Sequence, residues 1–436
     1  MGSASWKTRL ATVGVLVLVA TTAVACSSTN SAKDTSSNSG GSASSKIPSS
    51  AFSDHTGITS DSVHIGNVST LSIGGLFKGA LVGTQAYSDY VNSTGGINGR
   101  KISVDSADDG FSGSGNKQAT QNAINNDFSL VGGFSLQDSF GGTLLKQNPG
   151  MPDVSMVLDP ATNKLPNVFS AVPLNGGWET GPLEYFKQKF PDDSDGVGTI
   201  VSNTASALTD WAGEKYVMQQ LGYKVVYDPS IPVTQTDFTA NVVAMKNAGV
   251  KIIFIDQLPQ NYASALLKNL DQQNFHPQVV LGAASYSNAL IPNSGGASAV
   301  NGAYLDQNTS LYLGQDSSVI PAVALFNTWV AKASPGFKAD LFTLYGWLSA
   351  ELFSDALKNA GSDPSRGSLL QALSKITSFS GNNIVTASNP AAKAVGNCYL
   401  IGVVAFGDFH RFDDPPVTSS TNGYRCNGHY VTPPGS

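Results

Sequence analysis

In the stretch Tyr90-Val91-Asn92-Ser93-Thr94-Gly95-Gly96-Ile97-Asn98-Gly99-Arg100-Lys101-Ile102, one element must end and another begin. Before it, Lys78 to Ser93 carries Val82, Ala86, Tyr87, Tyr90 and Val91 at three- and four-residue spacing, the stripe of an amphipathic helix. Gly95-Gly96 stops that helix and turns the chain, because positive φ costs glycine little. After it, Lys101 to Ala107 reads as a strand, and Val63-His64-Ile65-Gly66-Asn67-Val68 upstream reads as the first one. The stretch therefore lies inside a strand–helix–strand unit, and such units build parallel sheets. A helix around Asn116 to Asn126 and the run Leu130-Val131-Gly132-Gly133-Phe134 continue the rhythm.

The second half repeats it. Gly198-Thr199-Ile200-Val201 is a strand, followed by a helix striped by Trp211, Lys215, Met218 and Leu221. Tyr223 to Tyr227 is a strand, and Phe238 to Ala248 a helix with Phe238, Val242 and Met245 inward. Val250-Lys251-Ile252-Ile253-Phe254-Ile255 is almost continuously apolar, as expected of a strand covered on both faces. Tyr262 to Leu270 is helical and Gln278 to Leu281 a strand. Two similar blocks predict an α/β protein of two Rossmann-like lobes with parallel sheets. Ligands of open α/β sheets bind beyond the carboxyl ends of the strands, so the site is expected in the cleft between the lobes.

The first 25 residues read as a secretory signal: Lys7 and Arg9, then an uncharged run from Leu10 to Ala25 too short for a spanning helix. Ala23-Val24-Ala25-Cys26 fits ordinary signal cleavage and also a bacterial lipobox. Residues 26–59 are read as a flexible tether, because the stretch to residue 50 is mostly Ser, Asn, Gly, Thr and Ala and cannot bury a core. A tether favours lipidation of Cys26, and an outer-face membrane anchor, over free secretion. Cys398 and Cys426 then remain as an even pair in an exported chain, which predicts a disulfide.

Composition narrows the function. The net charge of −6 becomes −8 once Lys7 and Arg9 leave with the signal, and no basic patch suggests nucleic acid. No Gly-x-Ser-x-Gly elbow, phosphate-binding Gly-x-x-x-x-Gly-Lys loop or Gly-x-Gly-x-x-Gly fingerprint occurs, so no catalytic residue and no cofactor is predicted. The five histidines form no His-x-x-x-His pair. Asp408, His410, Asp413 and Asp414 are read as a solvated loop beside the disulfide rather than a metal site. An exported hydrolase is the rival from a different class.

Tyr90 to Ile102 resembles the Asn-x-x-Gly-Gly-Ile-Asn-Gly-Arg run of substrate-binding proteins of branched-chain-amino-acid-type ABC importers. Asp108-Asp109, Leu130-Val131-Gly132-Gly133, Pro160-Ala161-Thr162-Asn163, Thr236-Asp237-Phe238 and Tyr345 resemble further family stretches, in order, over roughly residues 60 to 412. The resemblance implies the type I periplasmic binding fold, with three hinge crossovers near residues 172, 300 and 380. The N-terminal lobe is then 60–172 plus 301–380, and the C-terminal lobe 173–300 plus 381–436. It further implies a monomer that binds a small molecule and hands it to a separate membrane permease and ATPase. A receptor that presents its ligand to a sensor is the alternative within the same fold.

The resemblance also implies a site. Ser135 and Thr162 would offer hydroxyls, and Leu136, Gln137 and Ala161 backbone groups, to a ligand carboxylate; capping of helices fits the same residues. Leu76 and Phe77 would add apolar groups at the mouth. In the other lobe, the positions expected to hold the rest of the ligand are Ala207, Leu258, Ala284 and Tyr286. The family's ammonium-pairing carboxylate is missing around Ala284, with Asp256 or Asp138 as possible substitutes. An ammonium buried without a partner would cost several kcal/mol. The expected ligand is therefore apolar with a polar or anionic end, not an ordinary α-amino acid. Trp178, Trp211 and Tyr286 are candidates for stacking, Trp211 lying also on the core stripe of its helix.

Overall fold

The structure is a computed structural model, and it describes residues 47–434 apart from 73, 76, 175 and 176. The signal, Cys26 and the Ser-rich stretch up to residue 46 lie outside the described residues, as does Leu76. In chain order the first lobe runs β1 (Ser62–Ser69), α1 (Lys78–Ser93), β2 (Lys101–Asp108), α2 (Gly113–Asn126), β3 (Ser129–Val131), α3 (Asp138–Gln147), β4 (Asp153–Val154), α4 (Pro160–Asn163) and β5 (Val168–Phe169). Its five strands are all parallel in the order β2-β1-β3-β4-β5. The turn after α1 forms as the glycines predict: Gly95 and Gly96 have φ of 103° and 77°. A Cβ on Gly96 would stand 2.1 Å from the Arg100 carbonyl oxygen. Arg100 Nε donates to the Thr59 carbonyl at 2.8 Å and Asn98 Nδ2 to that of Gly361 at 3.0 Å, so this motif fastens the turn to its neighbours.

The second lobe follows with β6 (Trp178–Glu179), α5 (Thr180–Lys189), β7 (Val197–Gly198), β8 (Val201–Ser202), α6 (Ala205–Gln220), β9 (Val225–Tyr227), β10 (Ser230–Ile231), α7 (Thr239–Ala248), β11 (Ile252–Ile255), α8 (Gln260–Gln272), β12 (Gln278–Leu281), α9 (Leu290–Asn293) and β13 (Tyr304–Gln307). The chain returns to the first lobe through α10 (Pro321–Ala333), α11 (Leu341–Asn359) and α12 (Arg366–Leu373). It ends in the second with β14 (Leu400–Ala405), β15 (Asp408–Arg411) and β16 (Tyr430–Val431). The large sheet has the order β15-β14-β13-β12-β11-β7-β9, with β14 and β15 antiparallel. In β11, Ile252 and Phe254 join the core under α5 and α6, while Ile253 and Ile255 join the opposite core with α7 and α8. Every residue of that strand is buried, which is why it reads as apolar throughout.

Three sequence expectations change. Gly198 to Val201 is not one strand; it splits into β7 and β8, which pair with different partners. Residues 47–59, assigned by sequence to the tether, pack on the first lobe: Ala51 is buried in a short 3-10 turn, and Asp54 pairs with Arg366 at 3.0 Å. The second change of lobe follows Gln307, not residue 300, because β13 pairs with β12 and β14. There Thr309 bridges Val385, and Ser388 Oγ donates to the Ala171 carbonyl at 2.7 Å, so the three crossover segments lie side by side.

Helices α1 and α11 cross backbone to backbone over the first sheet. A Cβ on Gly83 would come within 1.9 Å of the Thr343 carbonyl oxygen, and one on Gly346 within 2.0 Å of that of Ala80. This close crossing carries Phe77 at the start of α1, and Phe342 and Tyr345 at the start of α11, to the rim of the cleft.

Candidate functional site: a two-faced cleft

A cavity of about 320 Å³ opens between the lobes. That lies at the lower end of the range for small-molecule sites. Its first-lobe wall is apolar: Phe77, Phe134, Leu136, Met156, Leu158 and Phe342, with Tyr345 beside them. The rings of Phe77, Phe134 and Phe342 lie 4.7 to 4.9 Å from one another, centroid to centroid, in tilted or edge-on contacts. Tyr345 stacks on Phe134 at 6.4 Å.

The second-lobe wall is polar and acidic. Following the strands' carboxyl ends, β8 brings Ser202, β11 brings Asp256 and Gln257, β12 brings Ala283 and Ala284, and β13 brings Asp306 and Asn308. Helix α6 adds Ser206, Ala207 and Asp210, and β6 adds Trp178 and Glu179. Behind them Glu214 is buried; it accepts from Gln257 Nε2 at 3.2 Å and is paired with Asp256. Gly282 makes room for this: a Cβ there would stand 2.2 Å from Asp256 Oδ1.

Enclosure by protein raises the acidic groups above the usual carboxylate range. Asp256 and Asp210 are pushed up by burial to about 6 and Glu179 to about 8. Burial also pushes up Glu214, with the Asp256 charge beside it, and Asp306, again with Asp256 adding to the effect. Among the described lining residues there is no lysine, arginine or histidine to offset them.

The residues named from sequence divide between this cavity and the surrounding frame. Phe77, Leu136, Ala207 and Ala284 line it, and so does Trp178. Ser135 does not: its hydroxyl donates to Asp109 and accepts the Gln137 N–H at 2.9 Å. Thr162 is likewise engaged, its hydroxyl donating to Asp159 at 2.6 Å, and Ala161 is exposed beside it. Gln137 precedes α3, with its N–H held by Ser135. Leu258 is fully buried in the core. Tyr286 is buried too, packed edge-on between Tyr312 and Phe409, its hydroxyl accepting from the Leu313 N–H at 2.9 Å. Trp211 is a core residue whose Nε1 donates to Asp228 at 3.1 Å. Asp138 holds the N–H groups of Leu158 and Asp159 at 2.5 and 3.1 Å and does not line the cavity. Among the cavity-lining residues that sequence reasoning did not name are Phe342, Met156, Asp210, Asp306, Asn308 and Glu179; Asp306 and Asn308 sit at the carboxyl end of a strand, which the crevice rule would have flagged had β13 been read as one.

The C-terminal segment completes the wall. Cys398 and Cys426 are joined by a disulfide. Beyond it β16 pairs antiparallel with β6, Tyr430 opposite Glu179 and Val431 opposite Trp178, and Tyr430 lines the cavity. Asp414 is not solvated as expected: it is buried and paired with Arg425 at 2.8 Å. Among the described residues no three acidic, histidine or cysteine side chains are placed to hold a metal ion, and no helix is long and apolar enough to cross a membrane.

Comparison with known proteins accounts for this architecture. Residues 62–407 match the model of a family described as periplasmic binding protein. A Leu/Ile/Val-binding protein homolog 1 of Brucella abortus (strain 2308) is 26% identical over 290 residues, covering 64% of this chain and 73% of the relative. A fatty acid ABC transporter substrate-binding protein from Thermomonospora curvata superposes with a TM-score of 0.68 at 18% identity, over 87% of this chain and 94% of that one. An ABC transporter solute-binding protein from R. palustris in complex with benzoate gives 0.67 at 16% identity, over 80% and 95%. With two α/β lobes, three adjacent crossovers and a cleft between them, the chain belongs to the periplasmic binding protein family and has its type I fold.

Proposed function

We propose that this chain captures a small molecule with an apolar body in the cleft and delivers it to an ABC importer made of separate permease and ATPase subunits. The observation that carries the reading is the cavity itself, lined from both lobes, with fused aromatic contacts on one side and hydrogen-bonding groups on the other. An apolar body of even a few methylenes gains about 0.8 kcal/mol for each one buried against such a wall. Lobes joined by three adjacent segments close around ligand by hinge motion. Export and anchoring through a lipidated Cys26 fit a receptor that feeds a membrane permease, and the chain acts as a non-catalytic monomer.

The anionic end expected from sequence is dropped from this reading. Ser135 and Thr162, the hydroxyls that would receive it, are committed to Asp109 and Asp159, and the described lining offers no basic side chain. Native mass spectrometry of protein purified from its host tests the reading: a co-purifying small molecule with an aliphatic or aromatic body is expected. Small-angle scattering is expected to show compaction when that molecule is added back. Unchanged scattering with a tight ligand bound would refute the hinge.

A further inference from the structure

We propose that the first lobe binds one alkali-metal cation in a small second cavity behind the aromatic wall of the cleft, with Asp138 and Asp153 as its anionic ligands and the hydroxyls of Thr120, Ser155 and Thr162 around it. The site is separate from the cleft, and its assignment does not depend on what the cleft binds.

This cavity measures about 40 Å³ and lies between α2, α3 and β4. It is too small for an organic ligand, whose sites begin at about 300 Å³. It has room for an ion with one or two waters, each of which needs about 10–15 Å³. Two successive glycines of α3 let the neighbouring oxygens approach. A Cβ on Gly141 would stand 2.4 Å from Thr120 Oγ1, and one on Gly142 1.8 Å from Thr162 Oγ1. A side chain at either place would displace these hydroxyls.

Asp153 is the residue that points to a ligand. It is 5% exposed, and its Oδ1 is buried with no hydrogen-bond partner among the described residues. A carboxylate oxygen left in that position without a donor or a cation is costly. Asp138, also on the cavity, adds its negative charge to that of Asp153. Lys393, whose charge reaches Asp153, donates its ammonium N–H to the Val168 carbonyl instead of pairing with either acid. The Thr162 hydroxyl spends its proton on Asp159 at 2.6 Å, which leaves its lone pairs for a cation. Carboxylate, hydroxyl and water oxygens are the ligands that hard cations take. With two acids on the cavity, and no three-acid cluster among the described residues, the set suits an alkali ion better than calcium or magnesium.

Such an ion would tie α3 to β4 where the wall of the cleft is carried. Asp138 accepts the N–H groups of Leu158 and Asp159, and Met156 borders both cavities. Occupancy therefore stiffens the loops that present Leu136, Met156 and Leu158 to the cleft.

The test melts the full chain, without added ligand, in sodium, potassium and choline chloride at one concentration of about 0.1 M, so that general screening is equal. The melting temperature is expected to be higher in sodium or potassium chloride than in choline chloride by roughly 2 °C, as a site of about millimolar affinity predicts for a chain of this size. Asp153→Asn, which keeps the shape of the side chain, should shrink that difference to less than about 0.5 °C. A single temperature in all three salts, the result that water in the cavity would give, overturns the assignment, and so does a difference that survives in Asp153→Asn. If the variant does not fold, crystals of the wild-type chain soaked in thallium(I), an alkali-ion mimic, decide the matter: an anomalous peak between Asp138 and Asp153 upholds the site, and its absence there refutes it.

Discussion

Phe77, Phe134 and Phe342 on the first-lobe wall touch one another as much as they touch the cleft, whereas Asp256, Asp306 and Glu179 on the facing wall crowd together groups of one charge sign. The aromatic wall is therefore part of the first lobe's core, held at the crossing of α1 and α11. The acidic wall is held against its own electrostatics by the sheet behind it, by Gly282 and by the tail strand β16. One wall adds to the stability of the ligand-free fold and the other subtracts from it, and a ligand that fits both reverses that balance only on the second.

The largest expected effect breaks the first wall. Phe134→Ala empties a buried ring's space and should lower stability by about 3–5 kcal/mol in chemical denaturation. An unmoved midpoint would show that the aromatic cluster is not core. Next is the covalent support of the second wall. Replacing Cys398 and Cys426 by Ser together opens a loop of 28 residues and should cost about 3–4 kcal/mol in the chain-entropy model. It should also weaken ligand binding through the slackened β16, and a stability loss without any loss of affinity would separate the tail from the site.

A smaller effect comes from pH. Asp256, Asp210 and Glu179 have folded-state values raised above their unfolded ones, so they bind more protons when folded. Their contribution is complete below about pH 4 and is lost as pH rises through about 6 and then 8. The melting temperature of ligand-free protein should fall by a few degrees from pH 5 to 8, other groups aside, and the fall should shrink in Asp256→Asn. The smallest effect is that substitution alone at pH 8. Asp256→Asn removes a desolvated charge, leaves an amide that can still hydrogen-bond Glu214, and should raise stability by about 0.5–2 kcal/mol while impairing binding. Destabilisation instead would mean that Asp256 is a structural residue.

The fold was legible where its causes are local. Gly95 and Gly96 must turn a helix into a strand, and β11 declares burial on both faces by its composition, so the lobes and their order follow from short stretches. The acidic wall was not legible because Glu179, Asp210, Asp256 and Asp306 come from four elements and meet only through sheet order. Asp256 was seen at a strand end but could not be weighed without its neighbours. Asp306 was hidden by placing the change of lobe at residue 300, and Glu179 sits in a two-residue strand that exists only because β16 pairs with it. Conversely, Ser135 and Thr162 have the right chemistry in the right loops, yet Asp109 and Asp159 take their hydroxyls.

The pairing of Tyr430–Val431 with Trp178–Glu179 has a practical side. An affinity tag or reporter fused directly after Val431, or a truncation that trims these residues for crystallisation, would alter the shape of the binding chamber rather than decorate an inert end.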